Sequence, residues 1–389
     1  MKLHRLAVVG LASAATLLVA TVAGAAAPPR GFHPPSDSLR GLAAPIGLRV
    51  GNAVNMDKLN VNAKYTGIVA DQFSTVTPEN VMKWDTIEPS QGLYNYAPAD
   101  QLISFAQQHG QLVRGHTLLW HSQIPAWLTG GVNNGTISNA QLRDVLKQHI
   151  ISEVGHFKGK IWQWDVANEI FANSWDSSPL PDGINGGDFW ISHLGEGIVA
   201  DAFRWAHQAD PKALLFYNDY NIAGQDGTNA KSDAVYAWVK QMLAQGVPIN
   251  GIGEQGHLDT QYGFDGTTMQ ADLARYASLG LKVAITEADV RTFVETTDSN
   301  QTPTDSLSQF AQPFEFDQLL KACLAVSSCI SFTIWDVDDA DSWVPSTFAG
   351  EGYSTLYDVN LNPKTAYTTL KQDLTLAAHG ASHRIGTNS

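Results

Sequence analysis

Eight short runs of strand composition, each followed by turn residues and then by a segment with helical apolar spacing, restrict the fold of this chain more than any other feature. They are Gly47 to Val54, Phe73 to Thr77, Leu112 to Thr117, Ile161 to Ala167, Ala213 to Asn218, Gly251 to His257, Lys282 to Thr286 and Ile330 to Ile334. Near-continuous apolarity is the pattern of strands buried on both faces of a parallel sheet. The segments between them carry helix punctuation. Pro98 to His109 sets Ala99, Leu102, Ile103 and Ala106 on one face ahead of Gly110, and Ser138-Asn139-Ala140-Gln141 resembles a capping box before Leu142, Val145, Leu146 and Ile150. The alternation predicts an α/β protein, and eight units are what a single closed (β/α)8 TIM barrel requires. An open doubly wound sheet is the alternative. It usually has fewer strands and often a glycine-rich phosphate turn after the first, which this chain lacks.

Length alone leaves one or two domains open at 389 residues, but barrels of this size are commonly one domain, and no linker or second module interrupts the pattern. With 38 acidic against 24 basic residues the net charge is −14, and no basic run stands out in the body of the chain, so nucleic acid is not an expected partner. Residues 1–25 read as a secretory signal peptide: Lys2 and Arg5, then an apolar run, then Ala23-Gly24-Ala25. An uncleaved anchor is the alternative, since the uncharged stretch is long enough to span a bilayer. Cleavage predicts an extracellular protein with no further membrane contact. Residues 26–45, rich in proline, are expected as a flexible lead-in, 46–376 as the (β/α)8 domain, and 377–389 as a flexible tail. In an oxidising compartment the close pair Cys323 and Cys329 is expected to form a small disulfide loop rather than two buried thiols. Neither a second pair of metal-spaced ligands nor a cofactor motif is present, so no metal or cofactor is expected. Asn134 and Asn300 head glycosylation sequons, usable only in a eukaryotic host, and Pro303 weakens the second.

Barrel enzymes take their reactive groups from the C-terminal ends of the strands. The fourth run finishes in Asn168-Glu169 and the seventh in Glu287, so two carboxylates are expected at the same end of the barrel. Glycoside hydrolysis uses such a pair, one group to protonate the leaving oxygen and one to attack or stabilise the sugar centre. On chemistry alone, the same glutamates would also serve as acceptors for neighbouring loops.

The words around them narrow the choice. Thr77-Pro78-Glu79-Asn80-Val81-Met82-Lys83-Trp84, Gly115-His116-Thr117-Leu118-Leu119-Trp120-His121, Trp164-Asp165-Val166-Ala167-Asn168-Glu169 and Ile285-Thr286-Glu287-Ala288-Asp289 resemble glycoside hydrolase family 10, the endo-β-1,4-xylanases. Gln255-Gly256-His257-Leu258 and Asp341-Ser342-Trp343 extend the resemblance, which runs from about Gly47 to Leu370. It implies a retaining double displacement with Glu287 as nucleophile and Glu169 as acid and then base. By the same resemblance His257 bonds Glu287 with Asp289 behind it, Gln255 orients Glu169, and Asn168 donates to the sugar 2-hydroxyl. Glu79, Asn80, Lys83 and His116 fall on the glycone side, while Trp120, Trp335 and Trp343 line the sugar path. Crowding by Trp335 and Lys83 would leave little room for a hydroxymethyl group, favouring xylose over glucose. Xylan and xylo-oligosaccharides are the implied partners of a secreted monomer.

Three positions depart from the family pattern: Glu254 before Gln255, Ala288 after the nucleophile, and Asp336 after Trp335 where glycine is common. Glu254 should face away from Gln255 and His257 by strand alternation. Asp336 adds a carboxyl group near the site. A β-1,4-glucanase on the same barrel, or a silent carbohydrate-binding protein, are the competing readings. The silent reading would require a lost carboxylate or support residue, and all are present.

Overall fold

The computed structural model describes residues 31–173, 179–224 and 229–386. Its centre is a parallel barrel of β1 (Arg49–Val54), β2 (Thr75–Pro78), β3 (Leu112–Gly115), β4 (Gln163–Asn168), β5 (Leu214–Asp219), β6 (Gly251–Glu254), β7 (Lys282–Phe293) and β8 (Cys329–Ile334). Each strand pairs with the next, and β8 returns to β1 with Ile334 opposite Asn52, so the sheet closes and the open doubly wound alternative is excluded. Closure crowds the interior. A Cβ on Gly115 would lie 2.2 Å from the Trp164 ring, and one on Gly253 would lie 2.4 Å from Asn218 Oδ1, so both positions keep room for side chains of neighbouring strands.

Helices ring the barrel as their punctuation predicts. Ala97–Gln108 buries Ala99, Leu102, Ile103 and Ala106 and stops at His109 and Gly110, the latter at φ 61°. Asn139–His156 starts from the expected capping box, in which the Ser138 hydroxyl accepts from the Gln141 N–H and the Gln141 side chain accepts from the Ser138 N–H. Cys323, near the end of helix Ser306–Ala325, is disulfide-bonded to Cys329 at the start of β8. Among the described residues no helix is long and apolar enough to cross a membrane.

Both terminal segments differ from expectation. The lead-in ends in a helix, Leu39–Ala43, capped by Ser38, whose Leu39 and Ala43 are fully buried. This helix packs on the C-terminal helix Thr365–Gly386. Two apolar residues four apart make a helical face too short to stand out of a proline-rich context. The tail from Ala377 continues the C-terminal helix as far as Gly386, and the small residues read as fraying include alanines, the strongest helix formers. The signal peptide expected at 1–25 lies outside the described residues.

Candidate active site

The two glutamates reach the barrel mouth by different local devices. Glu169 follows β4 at φ 57°, a left-handed conformation unusual for its type, and its N–H donates to the Asn218 carbonyl on β5 at 2.9 Å. Glu287 does not end its strand as expected. β7 runs on to Phe293, and its pairing with β8 is irregular between Ile285 and Ala288, a bulge that turns Glu287 into the mouth. Beyond it, Asp289–Arg291 pairs with a short strand, His257–Asp259, that puts His257 opposite Asp289. The sixth run therefore breaks between Glu254 and His257, turning at Gly256 with φ 79°.

Gln255 touches both glutamates. Its Nε2 donates to Glu169 Oε1 at 2.8 Å, and its carbonyl accepts from the Glu287 N–H at 2.8 Å. Trp120 Nε1 donates to the other oxygen of Glu169 at 2.7 Å. Glu287 is only 4% exposed. Its Oε1 accepts from Asn218 Nδ2 at 2.8 Å and Arg114 Nη2 at 3.2 Å, and His257 Nε2 lies 3.5 Å from Oε2. Burial opposes the charge on Glu287, but His116, His257 and Arg114 outweigh it and hold this carboxyl well below the usual range. His257 shows the converse balance. Burial disfavours its cation, yet Asp289, at 3.0 Å from Nδ1, and Glu287 raise its pKa to about 10. The contact with Asp289 is an ion pair off straight hydrogen-bond geometry, and Asp289 Oδ2 also accepts from Trp343 Nε1 at 2.7 Å.

The remaining predicted residues converge on the same place. A cleft of about 1450 Å³ is lined by Glu79, Asn80, Lys83, His116, Trp120, Glu169, Gln255, His257, Glu287, Trp335 and Trp343, with Asn168 and Asp289 close behind. Asn168 Oδ1 accepts from Asn218 at 2.8 Å, while its Nδ2 is buried without a protein acceptor. Lys83 is 8% exposed, bonded to Asn80 Oδ1 at 3.1 Å and 5.1 Å from the Trp120 ring centroid, so a surface ion pair does not describe it. Asn80 donates to Glu79 Oε1 at 2.9 Å. Trp335 meets the His116 ring edge-on at 5.4 Å. Asn134 and Asn300 are both exposed.

Glu254 is fully buried, with its carboxylate accepting from the Ile222 and Gly256 N–H groups. It anchors the turn that presents Gln255. Ala288, next to Glu287, is fully buried. Asp336 sits at φ 70°, 1% exposed. No side-chain donor reaches its carboxyl oxygens, and the backbone N–H of Trp343 lies beside them.

Arg114 and Asp165 escape sequence reasoning because they lie within strands rather than at their ends, whereas Asn218 closes the fifth run but carries no charge to mark it. A charged or amide residue interrupting an apolar run was the available signal. His116, Asp165 and Glu287 offer ligand atoms within 4.8 Å of one another, but the Arg114 guanidinium bonds both carboxylates and supplies the compensating charge a cation would bring.

A closed barrel with two glutamates over one tryptophan-rimmed cleft defines a protein of the glycoside hydrolase class. The Glycosyl hydrolase family 10 model matches residues 38–373, and the chain belongs to that family. It is 40% identical to endo-1,4-beta-xylanase 3 of Hypocrea jecorina, over 79% of this chain and 77% of that one. With endo-1,4-beta-xylanase B of Thermotoga neapolitana it shares 36% identity over 86% and 90% of the respective chains. The native xylanase 10B of Thermotoga maritima superposes with a TM-score of 0.79 at 36% identity, covering 88% of this chain and 99% of that one. The enzyme of Thermotoga petrophila, solved with xylobiose, matches equally well, at TM-score 0.79 over 88% and 98% of the chains.

Proposed function

We propose that this glycoside hydrolase is a secreted, retaining endo-1,4-β-xylanase acting as a monomer on xylan and xylo-oligosaccharides. The observation that carries the reading is the pairing of unlike carboxyl groups through Gln255: Glu287 is enclosed by cationic and amide donors, while Glu169 faces the cleft between Trp120 and Gln255. In the first step Glu169 gives its proton to the glycosidic oxygen as the C1–O bond breaks, and Glu287 forms a bond to C1. Oε1 of Glu287 already accepts two hydrogen bonds, so attack falls to Oε2 beside His257. In the second step Glu169 takes a proton from water, the water oxygen bonds C1, and Glu287 leaves as carboxylate. The unsatisfied Asn168 Nδ2 suits the sugar 2-hydroxyl, a contact that strengthens toward the transition state. Glu79, Asn80, Lys83 and His116 supply polar contacts on the glycone side, and the indoles of Trp335 and Trp343 fix the ring pose. The names of the relatives favour xylan over cellulose.

Glu287→Ala and Glu169→Ala should each lower kcat on xylan by several orders of magnitude, with azide partly restoring the former. Near-normal turnover in either variant refutes the assignment. Proton NMR of the first-formed product should show the β-anomer, and an initial α-anomer rules out double displacement. Faster cleavage of carboxymethyl cellulose than of xylan would transfer the substrate to a β-glucan.

A further inference from the structure

Lys231 is the second residue of helix Ala230–Ala244, where the helix dipole disfavours a cation, and it is only 5% exposed. A lysine in so costly a place is held by specific partners. Its Nζ donates to Asp219 Oδ1 at 2.8 Å and to Asn173 Oδ1 at 2.9 Å, and lies 4.1 Å from the Tyr220 ring centroid. Asn173 Nδ2 donates in turn to the Tyr220 hydroxyl at 2.8 Å. The tyrosine is thus gripped by one ammonium twice, on its ring directly and at its hydroxyl through Asn173.

Tyr220 follows β5 and lines the cleft. β5 pairs with β4, which leads into Glu169, whereas Glu79, Asn80 and Lys83 rise from the end of β2. A residue beside the acid/base and remote from the Lys83 group stands where the leaving sugar would lie. We propose that Lys231 is a positioning residue that fixes Tyr220 as a platform for the sugar on the leaving-group side of the scissile bond. The proposal rests on the xylanase reading above. An aromatic face accepts the C–H face of a pyranose over a narrow range of tilts, and a ring held before binding loses little freedom on binding.

The same contacts would also staple the helix to β5 through Asp219, so the test must separate positioning from stability. Xylohexaose fills both sides of the cleft, whereas 4-nitrophenyl β-xylobioside carries no sugar on the leaving-group side. Lys231→Met and Asn173→Ala should lower kcat/KM on xylohexaose about tenfold, mainly through KM, and change it on the aryl xylobioside by less than about twofold. Lys231→Arg, which keeps the cation, should recover part of the loss. Asn173→Ala leaves the Lys231–Asp219 pair intact and carries the test where Lys231→Met does not fold. Parallel losses on the two substrates overturn the proposal. So does a crystal structure of Asn173→Ala in which Tyr220 keeps its ring orientation, a readout that needs no substrate. Wild-type turnover of both compounds checks the xylanase reading separately.

Discussion

Asp336 carries a carboxyl group buried on a left-handed stretch of backbone. Burial, reinforced by Glu79 after β2, Asp289 on β7 and Asp341 in the loop after β8, raises its pKa well above the carboxylate range. A folded carboxyl group that keeps its proton while the unfolded one loses it stabilises the native state less as pH rises: the full contribution is present below the unfolded value and is lost above it. Asp336→Asn keeps the shape, tolerates the left-handed backbone and removes the titration. Its Tm should exceed that of the wild type by a margin that widens from pH 4 to pH 8, and parallel Tm curves would rule this out. The position itself was legible in sequence as an anomaly after Trp335. Its burial was not, because a lone aspartate after an apolar strand reads equally well as a solvated rim residue. Glu169 was legible because a charge that closes an apolar barrel strand falls at the mouth, where reactive groups collect, and Glu287 because the apolar run stops there although the strand itself continues to Phe293. Arg114 acts instead from inside its strand, on the interior face that apolar counting treats as core, and Asn218 closes its run as an uncharged amide.

At the scale of elements, the barrel could be read because its units are locally consistent: apolar strand, turn, capped helix. What escaped was set by tertiary placement. The strand His257–Asp259 has only three residues and exists because Asp289–Arg291 extends past the barrel to pair with it. The pair Glu351–Gly352, antiparallel to the end of β7, is shorter still. Neither has room for a periodicity. The Cys323–Cys329 bond joins helix Ser306–Ala325 to β8 across a sequence separation of 6, at the end of the strand opposite the cleft. Loop-closure entropy for so short a loop predicts about 2 kcal/mol of stabilisation. Replacing both cysteines by serine should therefore lower Tm by a few degrees and leave kcat on xylan unchanged. A fall in kcat without a fall in Tm would show that the disulfide acts on the site instead.

The whole molecule carries a net charge of −14, and the cleft sets Glu79, Glu169, Asp259, Asp265 and Glu287 against Lys83, His257 and Arg291. A neutral xylo-oligosaccharide is indifferent to that field, but xylan bearing uronic acid branches is repelled by it on approach. Screening should therefore act on one substrate and not the other. Between about 0.01 M and 0.15 M salt the Debye length falls from about 30 Å to about 8 Å. Over that range kcat/KM on glucuronate-substituted xylan should rise by about two- to fivefold, chiefly through KM, while the value for unsubstituted xylohexaose stays level. An equal response of the two substrates would mean that salt acts on the enzyme rather than on the encounter. A fall for the branched substrate would point instead to a local cation, Lys83 or Arg291, recognising the uronate once it has docked.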